Sequence, residues 1–164
     1  QTRPTGRSIS MSKEDQVRVD ASDGDNPLFP PHGVYEGRIN DGIFRAHVTG
    51  PVNRELVLSL SHKISDLFRA LQTERKAGGI TEFHESMIFT HEALVAHRDL
   101  IADGTKLLTQ GMVVAHVAAS TVEGRELMAG IFARTVYGPL NIPYQCFDTV
   151  AEAESWVHDQ ISAG

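Results

Sequence analysis

The densest group of side chains able to do chemistry is Glu82, His84, Glu85, His91 and Glu92, with Ser86 and Thr90 set among them. Two imidazoles and a carboxylate can hold a divalent ion of the zinc class. Glu82 and His84 stand two residues apart, so on a strand they share a face. A metal reading would join His84 to His91 across the following loop. No recognised ligand spacing supports it, and a solvated loop is the plainer reading. No metal and no cofactor are therefore expected, and no catalytic residue is assigned.

Thr90 stands just before Ala93-Leu94, where a threonine caps a helix through its hydroxyl. A phosphate there would meet free backbone N–H groups and the positive end of the helix. Glu85 and Glu92 would oppose it. Cys146 sits inside a strand-like run, between Gln145 and Phe147, and reads as a buried structural thiol. His47, His62, His97 and His116 are scattered and read as surface or hydrogen-bonded core residues. Gly78-Gly79 and Gly124 lack the lysine and the glycine spacing of a phosphate loop.

These residues must be positioned by regular elements, and the chain supplies them in alternation. Val34 to Ile39 and Ile43 to Thr49 flank Asn40-Asp41-Gly42, a hairpin signal. In the second run Phe44, Ala46 and Val48 alternate with Arg45, His47 and Thr49, which gives one buried and one wetter face. Asn53 caps a helix expected to run to about Lys76. Its apolar stripe is Leu56, Val57, Leu60, Ile64, Leu67, Phe68 and Leu71, with Ala77-Gly78-Gly79 as its stop. Ile80 to His84 is a strand. Thr90 opens a helix to about Ala102, with Ala93, Leu94, His97, Leu100 and Ile101 inward.

Met112 to Ala118 is the clearest buried strand. Ser120 and Glu123 form a capping box for a helix carrying Leu127, Met128, Ile131 and Phe132. Tyr144 to Phe147 is a short last strand. Thr149 and Glu152 form a second capping box, for a helix with Val150, Ala153, Trp156, Val157 and Ile161, and Trp156 is expected largely buried. The order predicts an α/β domain: one mixed, mostly parallel sheet of about five strands, with an N-terminal antiparallel hairpin and four covering helices.

Residues 1–33 read as a polar arm rich in Ser, Asp, Gly and Pro, and 34–164 as the folded domain. Residues 1–10 precede Met11-Ser12, which looks like a natural start. The arm is expected to add little to the core and to be ordered by another chain, with Leu28 and Phe29 as its anchor.

Composition narrows the function classes. The 164 residues suit one domain, with 41% hydrophobic and 22% charged residues. Fifteen Lys and Arg against 21 Asp and Glu leave −6, which argues against a nucleic-acid-coating surface. No apolar run approaches the roughly 18 residues of a membrane span. A single cysteine and the lack of a signal-peptide pattern set the expectation of a reducing, cytoplasmic setting.

Phe147-Asp148-Thr149, Glu152-Ala153 and Trp156-Val157 follow the pattern F-D-T-x-x-E-A-x-x-W-L. Val122-Glu123-Gly124-Arg125-Glu126-Leu127-Met128 after the central strand adds to it. Over Val34 to Ser162 the chain resembles the STAS domain, the anti-sigma-factor-antagonist module, and its SpoIIAA-like relatives. The resemblance implies a non-enzymatic regulatory domain that binds another protein or itself. In that family an Asp-Ser-Ser-Gly run at the start of the second helix carries a phosphorylated serine. Here the stretch reads Phe89-Thr90-His91-Glu92, without the Asp-Ser pair or the glycine. The expected recognition residues at this position are Ser86, Thr90, His91 and Glu92. By analogy of fold, the alternative is a lipid or small-molecule carrier of the CRAL-TRIO-like sort. Its cavity would lie under the first helix, lined by Leu56, Leu60, Ile64 and Phe68.

Overall fold

The computed structural model describes residues 15–71 and 74–163. The strands are β1 (Gln16–Val19), β2 (Val34–Asn40), β3 (Ile43–Thr49), β4 (Ala77–His84), β5 (Met112–Val117) and β6 (Tyr144–Phe147). The helices are α1 (Arg54–Ala70), α2 (His91–Thr105), α3 (Arg125–Phe132) and α4 (Val150–Ser162). The fold is α/β, with one open mixed sheet in chain order from β1 to β6. The β1–β2 and β2–β3 pairs are antiparallel and the rest are parallel.

Chain order dictates where the helices go. Parallel neighbours added always on the same side, with crossovers of one hand, must place α1, α2 and α3 on one face. The core agrees. One cluster joins α1–α3 to Val48, Phe83 and Val114. A second joins Ala153 and Val157 of α4 to Ile43, Ile80, Val113, Ala115 and Val117 on the opposite face. β5 is covered from both sides and buried at every residue, as an unbroken apolar run requires. The single helix α4 lies mainly against β4 to β6, reaches Ile43 and Arg45 of β3, and leaves β1, β2 and the end of β3 on that face open. That open face carries a shallow groove of about 610 Å³, lined by Gln16, Arg18, Glu36, Arg38, Arg45 and His47 among others.

The arm departs from expectation from Gln16 on, and the sheet gains a sixth strand. β1 pairs with β2, and Val17 and Val19 are buried. They pack against this chain's own α1. Lys63 Nζ donates to Asp23 Oδ1 (2.5 Å) and to the Arg18 carbonyl (3.0 Å). Two valines at alternate positions were enough to seat a short strand on an edge that β2 leaves unpaired. The expected start at Met11, and residues 1–10, lie outside the described residues.

α1 buries the expected apolar stripe, and Asn53 Oδ1 accepts from Leu56 N (3.0 Å). The helix ends at Ala70, not near Lys76, and Ala77-Gly78-Gly79 are not its stop but the first residues of β4. A Cβ on Gly78 would stand 2.9 Å from Val157 Cγ1, so this glycine lets α4 lie close on the sheet.

The Ser120 capping box does not form. α3 starts after Gly124, at φ +73, with no side-chain cap. Glu123 is held elsewhere: its N–H and C=O pair with Glu85 and Met87, and its carboxylate accepts from Ser86 Oγ (3.1 Å). The third helix is short, then runs through a wider turn, Ala133–Tyr137, whose Val136 and Tyr137 are buried. Its Met128 and Phe132 point inward while Leu127 is exposed. On α4, Thr149 caps as expected, accepting from Glu152 N (3.3 Å). Trp156 packs at the edge of the second cluster, partly buried, and meets Phe147 obliquely with centroids 5.6 Å apart. Among the described residues no helix is long and apolar enough to cross a membrane.

Candidate functional site

The expected recognition segment divides when built. Ser86 is buried and spends its hydroxyl inside the fold, donating to Glu123 and accepting from Ile88 N (3.2 Å). Thr90 is exposed and caps α2, its Oγ1 accepting from Ala93 N (3.1 Å). His91 and Glu92 are exposed and line a groove of about 390 Å³ between α1 and α2, with Arg54, Val95 and Asp99. Three of the four residues thus stay available on the surface, and Ser86 does not.

The space under α1 is small. Leu56 and Leu60 line a cavity of about 30 Å³, and Leu60, Ile64 and Phe68 one of about 50 Å³. Such voids admit a water-sized group or two, whereas ligand pockets hold several hundred Å³.

His84 meets Glu82 and His47, not His91. β3 and β4 pair in parallel with His47 opposite Glu82 and Thr49 opposite His84. Period-2 alternation then puts His47, Glu82 and His84 on the face that α4 only partly covers. His47 Nδ1 and His84 Nε2 are 3.1 Å apart, the ring planes 14° apart and the centroids 5.4 Å apart, so the rings meet nitrogen to nitrogen. Glu82 places one carboxylate oxygen 3.6 Å from His47 Nδ1 and the other 3.9 Å from His84 Nε2. Among the described residues this is the one group of His, Cys, Asp and Glu side chains close enough to share an ion. Next to it Arg45 pairs with Glu154 of α4.

The opposite face holds a second histidine group. His116 of β5 is buried, between Tyr137 and Tyr144. Its Nε2 lies 3.3 Å from Tyr137 Oη and its Nδ1 2.9 Å from Tyr144 Oη. His97 Nε2 lies 3.1 Å from the same Tyr137 Oη. Phe83 and Phe132 wall His116 edge-on, with centroids 4.9 and 4.8 Å away. Each neutral imidazole has one donor and one acceptor, and each phenol can serve as both. The run His97–Tyr137–His116–Tyr144 is therefore satisfied with all its O–H and N–H groups pointing one way or all the other. Burial drives His97 down to about 4. Burial, and then the neighbouring His97, drive His116 well below the usual imidazole value. The Tyr137 and Tyr144 phenols are pushed up, chiefly by burial, and stay protonated. The network is neutral.

Cys146 is half-buried, and burial pushes its thiol up, which makes it a poor nucleophile. His47, Tyr137 and Tyr144 were not named as site residues from sequence. The alternation in β3 did place His47 on the wet face. Only the β3–β4 register brings it opposite Glu82. No family model, curated protein or solved structure matches this chain.

Proposed function

We propose that this domain is a regulatory protein-interaction module whose recognition surface combines the start of α2 with the loop before β2. The observation that carries this reading is a pair of large apolar side chains, Leu28 and Phe29, 80% and 63% exposed on a loop held in place. Leu28 N donates to Asn26 Oδ1 (3.0 Å) and Phe29 N to the Asn26 carbonyl (3.1 Å). Downstream, Asn53 Nδ2 donates to the Pro30 carbonyl (3.0 Å), and His32 N donates to Asn53 Oδ1 (2.8 Å). A fixed apolar pair loses little conformational entropy on docking.

The same clamp ties this loop to the α2 start. Thr90 N donates to the carbonyl of Val52, the residue before Asn53 (3.1 Å). Arg54, one residue on, lines the α1–α2 groove with His91 and Glu92. The surface so formed has an apolar point beside a mixed-charge groove, the make-up of a protein-binding patch. In the STAS domain, which the sequence resembles, the start of the second helix is the regulatory position.

The test pairs sedimentation velocity with affinity capture from the source cell. The wild type is expected to self-associate with concentration or to capture a specific protein. The double variant Leu28→Asp/Phe29→Asp should abolish that association, while Leu127→Asp on α3 leaves it intact. Association unchanged by the double variant, or none at all, would overturn the reading.

A further inference from the structure

We propose that His47, Glu82 and His84 bind one divalent transition ion of the zinc class. This inference is independent of the interaction surface and lies on another part of the molecule.

The ligand set is the first argument. Two imidazoles and one carboxylate suit first-row transition ions and disfavour Mg²⁺ or Ca²⁺, which take oxygen ligands. The spacing is the second. Metal–ligand distances of about 2.0–2.1 Å put ligand atoms roughly 3.3–3.4 Å apart around a tetrahedral ion. The separations here, 3.1, 3.6 and 3.9 Å, bracket that value before any ion draws them in. The rings face each other nitrogen to nitrogen, so an ion that meets all three side chains requires both imidazoles and the Glu82 carboxylate to turn toward it.

Rigidity is the third argument. All three residues project from adjacent paired strands in the middle of the sheet, so their backbone positions are set by the ladder and not by a loop. Access is the fourth. The side chains of His47, His84 and Glu82 are 60%, 45% and 32% exposed. His47 also borders the open groove across β1 to β3, so positions not filled by the protein face water.

Without an ion, the close nitrogen pair suits an N–H···N hydrogen bond between two neutral rings. Coordination moves that hydrogen to the ring's outer nitrogen, and because only unprotonated ligand atoms can coordinate, binding weakens as pH falls. By contrast, His116 spends both ring nitrogens on phenols, and His97 spends its Nε2 on the same Tyr137.

The experiment is calorimetric titration of the untagged full chain with Zn²⁺ at pH 7.5 and pH 6.0, alongside Mg²⁺. One ion per chain is expected for Zn²⁺ and none for Mg²⁺, with Zn²⁺ affinity lower at pH 6.0. His47→Ala and His84→Ala should each weaken Zn²⁺ binding at least tenfold. His91→Ala should leave it within twofold. Because the altered side chains are on the surface, far-UV circular dichroism should be unchanged. Co²⁺ should give a visible band that His84→Ala abolishes. Fewer than about 0.2 Zn²⁺ per chain, or binding that survives both His47→Ala and His84→Ala, would overturn the proposal. So would equal loss in His91→Ala.

Discussion

Two pairs of histidines stand on opposite faces of one sheet, and their surroundings give the same side chain opposite chemistry. His47 and His84 share a carboxylate and open to water. His116 and His97 share a tyrosine hydroxyl and are walled by Phe83, Phe89 and Phe132. On the wet face two ring nitrogens and a carboxylate converge. On the dry face each nitrogen near a phenol is already paired, and charging it would require ionisation in an apolar space. The difference arises from the helices. α1, α2 and α3 seal one face, while α4 alone covers only part of the other. Residue type tells what a side chain can do; the layer above it decides which of those things it does.

The largest effect separating the two faces should come from truncating one histidine on each. His116→Ala removes a fully buried ring and strands the Tyr144 hydroxyl, so it should cost about 3–5 kcal/mol. His84→Ala removes an exposed ring and should stay within about 0.5 kcal/mol. Urea denaturation at neutral pH measures both. Comparable losses at the two sites would erase the distinction.

Acid should sharpen it further. The folded-state value of His97 is lowered to about 4 from 6.5. The unfolded chain therefore takes up a proton first as pH falls. Stability is fully present above about pH 6.5 and is lost as pH drops toward 4. His97 contributes to this loss, and His116 acts in the same direction. Denaturation at a series of pH values should show this slope, and His97→Gln, which keeps an amide partner for Tyr137, should make it shallower.

Within β1 the same comparison runs along four residues. Val19 points to the dry face and Arg18 to the wet one, beside Glu36. Val19→Ala should cost about 2 kcal/mol by loss of buried methyls, and Arg18→Ala less than about 0.5 kcal/mol. Equal, small losses would mean the first strand is not part of the core. The smallest change is expected away from both faces, at Thr90. Thr90→Ala should lose about 1 kcal/mol of helix capping, and Thr90→Asp almost none.

Much of the dry face was legible in the sequence. The α1 stripe from Leu56 to Phe68 and the run Met112–Val117 declare themselves by period and by continuous apolarity. Local signals were weaker where distant partners compete for the same groups. Ser120 and Glu123 spell a capping box, yet Glu123 is claimed by Ser86, 37 residues away in sequence. Gly78 and Gly79 spell a helix stop, yet the close approach of Val157 makes Gly78 a strand residue. The arm reads as polar because among its described residues Val17, Val19 and Pro31 alone are buried, too few for periodicity to register.

The histidine groups were legible only in part. Glu82 and His84 were paired from their two-residue spacing, and His47 was placed on the wetter side of its strand. What joins them is strand register, which no local pattern encodes. Tyr137 was invisible for a related reason. It lies in the widened turn after α3, where helical spacing no longer predicts which side chains point inward.

The wet and dry histidines should differ in what they bind, and one spectrum reads all of them together. Long-range proton–nitrogen correlation of the imidazoles, recorded while Zn²⁺ is added, separates each ring nitrogen by its chemical shift. The account predicts that His47 Nδ1 and His84 Nε2 move to metal-bound values at one equivalent, while His97 and His116 keep the shifts of neutral, phenol-bonded rings throughout. Unmoved signals from His47 and His84, or movement of His97 and His116 in their place, would contradict it.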